Sequence, residues 1–398
     1  MILFFFLFLI LFEFYAYRSI KLVFKSNLKN LYIITNAIIY LLFFSYIFLF
    51  YEGKFNAFFS YNFTIIFILF ICKSIIILFL FLEDILRLVG VFFNIIQTKK
   101  KIDLSRRKFI SKTALFLGAI PVPIMLHGVF KGRYNYKVVK HIIKYKDLPK
   151  NFDGYKITHI SDFHCGSFEK RKKIEYAMNL INEQNSDIIL FTGDFVNNTY
   201  DEIIPWKNTF KKLKAKHGKY SVLGNHDYGD YYNWSSEGDK KENFKNLIKI
   251  QNEMGFKILM NESIYISKEN EKIALIGVEN WGDRFKKNGD IDKAISNIDQ
   301  NDFKVLMSHD PSHWEKKIID HDEHFHLTLS GHTHGLQFGI EIPGLIKWSP
   351  VKYRYKYWAG VYENKSQFIN VNRGFGVLGF PGRVGIWPEI SVIELKKS

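Results

Sequence analysis

The first 98 residues are dominated by apolar runs of a length that few soluble folds can bury. Residues 2–17 (ILFFFLFLILFEFYAY), 31–51 (LYIITNAIIYLLFFSYIFLFY) and 64–82 (TIIFILFICKSIIILFLFL) are each read as a helix crossing a hydrocarbon layer, the first being marginal in length. A fourth apolar run, TALFLGAIPVPIMLHGVF, covers 113–130, and 84–98 is expected to form an interfacial amphipathic helix. The first run has no basic leader and no small-residue cleavage site, which excludes a signal peptide.

Charge orients these spans. Arg18, Lys21, Lys25 and Lys29 follow the first with no acid among them, whereas only Glu52 and Lys54 separate the second from the third. Arg87, Lys99, Lys100, Lys101, Arg106, Arg107, Lys108 and Lys112 follow the third. The positive-inside rule then puts the first and third loops in the cytoplasm, and the fourth span carries the remainder outside. The stretch SRRKFISK at 105–112 resembles a twin-arginine export signal, and a plain cytoplasmic basic cluster is the alternative. Either sends the following domain across the membrane. Glu13 and Lys73 lie inside apolar spans, where an ionisable group marks a functional site or pairs within the bundle. The formal charge of +16 sits largely beside the spans, which disfavours a nucleic-acid groove. The two cysteines, Cys72 and Cys165, sit in different environments, so no disulfide is expected.

Beyond residue 150 the pattern changes. Strand-like runs (YKITHI at 155, DIILFT at 187, YSVLG at 220, IALIGV at 273, FKVLM at 303, HLTLS at 326, EISVIEL at 389) alternate with helical patterns at 169–184, 201–215 and 241–254. That alternation predicts a layered α/β domain. Five of these runs end in ligating groups: Asp162 and His164; Asp194; Asn225, His226 and Asp227; His309 and Asp310; His332 and His334. Ligands gather at the carboxyl ends of strands in open α/β sheets, so all five sets are expected at one rim. Nitrogen and oxygen ligands without sulfur suit Mn, Fe or Zn. Three or four imidazoles, two carboxylates and an amide from this set, seven ligands, exceed one ion's needs and suit two divalent ions sharing a carboxylate, which would acidify a shared water and clamp a phosphoryl group. Cys165 is read as an inert neighbour of His164, and His159, His313, His324 and His326 as strand or surface histidines.

In this order the motifs resemble those of the calcineurin-like metallophosphoesterases, over roughly 155–395. The C-terminal NRGFG…GRVGIWPEISVIEL is similar to a membrane-bound or twin-arginine-exported branch related to a UDP-2,3-diacylglucosamine pyrophosphatase of lipid A synthesis. The resemblance implies an α-β-β-α sandwich after N-terminal transmembrane helices. It implies that Asp162, His164 and His334 bind one metal, Asn225, His309 and His332 a second, and that Asp194 bridges. It makes His226 the general acid, with Asp227 orienting it. Two departures stand out: Asn197 replaces an acid common in the family, and Asn198 and Thr199 occupy the place of a phosphate-gripping arginine in protein phosphatases.

The expected organisation is a membrane anchor at 1–98, a basic twin-arginine-like segment with a fourth anchor helix at 99–130, and a phosphoesterase domain at 131–398. An insert at 228–243 follows His226, and the basic, aromatic segment IKWSPVKYRYKYWAG at 346–360 favours a membrane interface, with a solvent-exposed loop carrying some packing aromatics as the alternative. The expected activity is hydrolysis, by a hydroxide shared between the ions, of a phosphoester or pyrophosphate bond in a lipid-linked substrate such as UDP-2,3-diacylglucosamine or a phospholipid. The expected location is a bacterial inner membrane with the domain on the periplasmic side, and the oligomeric state is open. The alternatives are a metal-dependent nucleotidase or nuclease, and a non-enzymatic membrane protein with a vestigial site.

Overall fold

The computed structural model describes residues 2–50, 57–92, 104–342 and 344–398. Contacts divide them into two units, one reaching to His127 and the other formed by Gly128–Ser398. In the first unit the apolar runs become α1 (Ile2–Val23), α2 (Ser26–Phe50), α3 (Ala57–Phe92), α4 (Leu104–Ala119) and, running on past the unit's end, α5 (Pro121–Phe130). Among the described residues three stretches, Ser26–Phe48, Ser60–Phe92 and Ser105–Tyr134, are long and apolar enough to cross a membrane. The expected interfacial helix at 84–98 is not separate: α3 continues unbroken through residue 92, and 93–98 lie outside the described residues.

Inside this bundle the polar groups find each other. Lys73 of α3 donates to Glu13 of α1 and to Asn36 of α2, at 2.5 Å each. Tyr40 and Tyr32 of α2 donate to the same Glu13 carboxylate at 2.5 and 3.2 Å. The two ionisable residues of the spans are therefore partners, as apolar surroundings demand. Further along, Asp84 accepts from Tyr15, Arg18 and Arg87. Glu13 meets Lys73 and Arg18 meets Asp84, so α1 and α3 run parallel and the chain leaves both at the same end of the bundle.

The second unit is built on two six-stranded sheets. The first is ordered β1 (Lys137–Tyr145), β14 (Glu389–Lys397), β2 (Tyr155–Ile160), β3 (Ile188–Phe191), β4 (Lys219–Ser221), β5 (Phe256–Ile258). The second is ordered β12 (Gly360–Asn364), β13 (Gln367–Val371), β9 (Leu327–Ser330), β8 (Lys304–Met307), β7 (Glu271–Gly277), β6 (Glu262–Lys268), and β10 (Ile340–Ile342) with β11 (Ile346–Trp348) makes a small ribbon. Strands β2 to β5 are mutually parallel, as are β7, β8, β9 and β13. Every residue of β3, β8 and β9 is buried, because both faces of each sheet are covered. Along β3 successive side chains take opposite faces. Ile188 and Leu190 join Leu275, Val305 and Leu327 in the core between the sheets. Ile189 and Phe191 instead pack with Ile174 and Met178 of α6 (Arg171–Asn182). On the far side Ile276 and Leu306 lie under Trp314 and Ile318. The layers are helix, sheet, sheet, helix.

All seven strand-like runs lie on strands, and the patterns at 169–184 and 241–254 correspond to α6 and α8 (Glu237–Glu253). The pattern at 201–215 does not: Tyr200–Trp206 is a 3-10 helix containing Pro205, and only α7 (Lys207–Phe210) is α-helical. A proline lacks the N–H that an α-helical ladder needs.

Candidate metal centre

The chain leaves β2, β3, β4, β8 and β9 toward a common edge, but those strands belong to two sheets rather than one. Bonds across the gap join the edges. His309, after β8, hydrogen-bonds through Nδ1 to the carbonyl of Thr192, after β3, at 2.6 Å. The backbone N–H of His332, after β9, donates to Asp162, after β2, at 3.1 Å. The expectation of a single sheet's rim is corrected to the shared edge of a sandwich.

Two groups of side chains converge there, each with one ligand atom per residue within 4.8 Å of the others: Asp162, His164 and His334, and Asp194, His309 and His332. His164 Nε2 faces His334 Nε2 at 3.1 Å, and His332 Nδ1 faces His309 Nε2 at 3.2 Å. Asp194 touches both groups: its Oδ2 lies 3.2 Å from His309 Nε2 and 3.6 Å from His164 Nε2. Asn225 follows Gly224 on the neighbouring loop. Its amide nitrogen donates to the Tyr231 hydroxyl at 3.0 Å, and its Oδ1 is buried without a hydrogen-bond partner.

This geometry is held at a cost to the backbone. Asp162, His164, Asp194, His332 and His334 all have φ between 47° and 68°, a left-handed conformation that non-glycine residues rarely adopt. Such strain gathers at functional sites, where the surroundings over-determine it. Two glycines make the space. A Cβ at Gly224 would overlap the Asp194 carboxylate, and one at Gly331 would overlap Asp162 Oδ2 and Ser161 Oγ.

Nitrogen and oxygen atoms aimed at two points, with a carboxylate oxygen between and an orphaned amide oxygen beside, fit a pair of divalent cations. The electrostatics agree. Burial would raise the Asp194 carboxyl, but the imidazoles of His309, His226 and His164 hold it well below the usual range. Asp162 is likewise lowered despite its burial, chiefly by His334. Burial pushes His164 well below an ordinary imidazole and lowers His332 too, which leaves them as neutral lone-pair donors. His309 behaves oppositely: burial is overcome by Asp194 and the imidazole rises to about 10.

His226 stands beside this cluster, its ring 5.0 Å from that of His164. Its backbone N–H donates to Asp194 Oδ1 at 2.9 Å. Its Nδ1 lies 2.7 Å from the carbonyl oxygen of Asn197, so Nδ1 carries the hydrogen and Nε2 is left for other chemistry. The expectation that Asp227 orients His226 is therefore corrected. The buried Asp227 carboxylate instead accepts from the backbone N–H groups of Gly224, Asp194 and Phe195 at 2.8–2.9 Å. It ties the two ligand loops together, and the main chain at Asn197 holds the imidazole. The Asn197 amide turns away to Ser167.

Other residues at the site carry no motif. Tyr355 bonds His332 Nε2 at 2.8 Å and Asp310 Oδ2 at 3.4 Å. Tyr231 lays its ring 4.5 Å from that of His226. Arg383, fully buried, donates to the carbonyls of Arg373, Gly374 and Gly376 and places Nη2 3.2 Å from His334 Nδ1. Burial pulls its guanidinium down to about 10, still protonated at neutral pH. Of the other histidines, His159 lies on β2 and bonds Thr192 and Asn370, His326 bonds Asp147 and His324 is exposed, whereas His313 is neither on a strand nor at the surface: it is buried in a helical turn and bonds Ser308; Cys165 is a buried free thiol.

Residues 1–133 match the family described as "Probable Calcineurin-like phosphoesterase, transmembrane domain", and residues 155–336 match "Calcineurin-like phosphoesterase". The chain is 31% identical over 307 residues to the uncharacterized metallophosphoesterase YkuE of Bacillus subtilis, covering 74% of this chain and 99% of that protein. It is 26% identical to an uncharacterized metallophosphoesterase of Helicobacter pylori (76% of each chain). It is 25% identical to the phosphodiesterase YaeI of Escherichia coli (73% of this chain, 99% of that one). With the ligand clusters in place, the chain belongs to the calcineurin-like metallophosphoesterases: it is a phosphoester hydrolase preceded by a membrane domain.

Proposed function

We propose that the chain is a membrane-tethered phosphoesterase with two divalent ions, Mn, Fe or Zn, that cleaves a phosphoester or pyrophosphate bond in a lipid-linked substrate, such as UDP-2,3-diacylglucosamine or a phospholipid. The observation that carries the two-ion reading is Asp194 Oδ2, within 3.6 Å of imidazoles from both ligand groups. Asp162, His164 and His334 would hold one ion, Asn225, His309 and His332 the other, with Asp194 shared. When bound, such a pair acidifies water and neutralises phosphoryl charge. The chain's own part is to fix the ligands by backbone bonds, to keep the carboxylates ionised and to hold a proton at His226 Nε2 for the departing oxygen. His226 is suited to that role because Asn197 fixes its other nitrogen.

Tethering supports a lipid-linked substrate, since the preceding helices confine the site near a bilayer. The loop charges support a bacterial inner membrane with the phosphoesterase on the periplasmic side, and the parallel course of α1 and α3 agrees with both basic loops sharing one face. SRRKFISK at 105–112, at the start of α4, would serve as export signal or as plain cytoplasmic anchor charge.

The test is turnover by the full-length protein in nanodiscs with Mn2+, comparing UDP-diacylglucosamine, phospholipids, nucleotides and cyclic dinucleotides. Lipid-linked substrates should have the highest kcat/KM, and a clear preference for free nucleotides would overturn the reading. Asp194→Asn should lower metal content and turnover together; two ions and near-normal rates in that variant would remove the shared-carboxylate assignment.

A further inference from the structure

Beside the ligand clusters lies a cleft of about 560 Å³. Its lining includes Arg284, Lys316, Lys352, Arg354 and Lys356, with Asp283 and Glu315 as the only carboxylates. Among the described residues none of the five cations lies within 4.0 Å of a carboxylate. Other cations do: Lys286, two residues from Arg284, pairs with Asp230 at 2.9 Å, and Lys365, away from the cleft, pairs with Asp320 at 2.6 Å. The cleft thus gathers five cations against two carboxylates, with none of the five in a close ion pair.

The cleft shares a wall with the second ligand group. Tyr355 lines it and also bonds His332 Nε2 at 2.8 Å. The Arg354 guanidinium lies 5.8 Å over the Phe285 ring, and Phe285 sets its edge against the His332 ring, centroids 4.9 Å apart. The segment 352–356, with Arg284 across the cleft, therefore places excess positive charge next to an imidazole assigned to the second ion in the proposed site. Concave, single-sign charge of this kind concentrates anions, and guanidinium and ammonium groups match phosphate oxygens.

We propose that this cleft is a second anion subsite that receives a phosphate, or an equivalent anionic group, of the substrate other than the one attacked. This rests on the two-ion phosphoesterase reading and narrows its substrate class. Preferred substrates carry at least two anionic centres, as a diphosphate or a phosphodiester with a further phosphate does. No bond changes at the cleft; it binds and orients.

The test uses the full-length protein in neutral phosphatidylcholine nanodiscs with Mn2+. The substrates are p-nitrophenyl phosphodiesters that differ only in their second arm: choline, methyl or 2-phosphoethyl. With the leaving group constant, kcat/KM should rise from the cationic to the anionic arm, and the rise should shrink with added salt. Replacing two of the cations, Arg284→Ala with Lys356→Ala, should cost the anionic arm about tenfold or more, chiefly in KM, a loss expected of charge-assisted contacts. Lys365→Ala, which removes a cation elsewhere, should leave the gradient intact. A flat gradient in the wild type, or one unchanged in the double variant, overturns the proposal. A second readout is independent of turnover: binding of inorganic triphosphate in the presence of EDTA, followed by calorimetry. It should weaken about tenfold in the double variant and stay the same in Asp194→Asn. Equal binding by wild type and double variant overturns the subsite even if no ester is cleaved. A flat gradient that appears only when phosphatidylglycerol replaces phosphatidylcholine would assign the cleft to bilayer headgroups and likewise overturn it. The lipid-linked reading fails separately, through the substrate panel, and its failure would leave the charge gradient in place.

Discussion

In the proposed two-ion site His226 is the imidazole left over from coordination, and its environment suits it to proton transfer. Asn197 accepts from Nδ1, so on this proposal only Nε2 would exchange a proton with substrate. His226→Ala should keep both metals and lose ~10²–10⁴-fold in turnover on a poor alkoxide leaving group. The loss should shrink as leaving-group pKa falls, because a nitrophenolate departs without help. Metal analysis with a rate series on aryl and alkyl esters checks this, and equal slowing on every ester would move His226 to phosphate binding. His159 shows the opposite use of an imidazole. It is fully buried, faces the Thr192 hydroxyl through Nε2, and accepts from the Asn370 amide at Nδ1, 2.8 Å away. Burial pulls its pKa down to about 4. The folded state therefore resists protonation more than the unfolded chain does. Its stabilisation is present above about pH 6.5 and is lost as pH falls toward 4, on the order of 3 kcal/mol in all. His159→Gln should flatten that part of the pH–stability curve. Urea unfolding followed by tryptophan fluorescence reads it cleanly, since all seven tryptophans lie beyond residue 200.

At the scale of elements, the membrane helices are joined by an ion pair that their apolar surfaces could not supply. Lys73 Nζ reaches Glu13 and Asn36, while Tyr32 and Tyr40 complete the Glu13 carboxylate. Lys73→Met should leave that carboxylate unpaired and destabilise the bundle by about 3 kcal/mol or more. Glu13→Gln with Lys73→Met should recover most of the loss, because the amide oxygen still accepts from the tyrosines. Detergent-unfolding midpoints of the two variants decide it; a double variant as weak as the single one would mean that the charge pair itself, not its completeness, holds the helices. In the second unit, helix periodicity misled at 201–215, where Pro205 and a capping box from Thr199 to Glu202 favour a tighter turn. The Glu202 carboxylate accepts from the backbone N–H groups of Gly166, Asn197, Asn198 and Thr199, fastening that turn to the ligand loops. Nothing in local sequence advertises such a tie.

At the scale of the molecule, the proposed function has charge bias set the orientation of the chain. A reporter active only outside the cytoplasm should be active when fused after Ser398 and inactive when fused near Lys100, a position outside the described residues. The reverse pair of results would place the phosphoesterase inside and end the periplasmic reading. Arg106→Lys with Arg107→Lys separates the export routes, since undiminished translocation favours the plain basic cluster. By itself the sequence determined what depends on composition and on motifs at strand ends: apolar length made the helices, alternation made seven of the fourteen described strands, and the candidate ligands Asp162, His164, Asp194, Asn225, His309, His332 and His334 stood out because each closes a strand-like run. Only the tertiary structure decided the rest. It placed the ligands on two sheets rather than one and turned Asp227 from His226 to the backbone of Gly224, Asp194 and Phe195. It also brought Tyr355 and Arg383 to the imidazoles of His332 and His334. The physical reason is reach. Local sequence encodes torsions and the faces of single elements, whereas a hydrogen bond between residues 49 apart, as between Arg383 and His334, exists only once packing has brought two loops together.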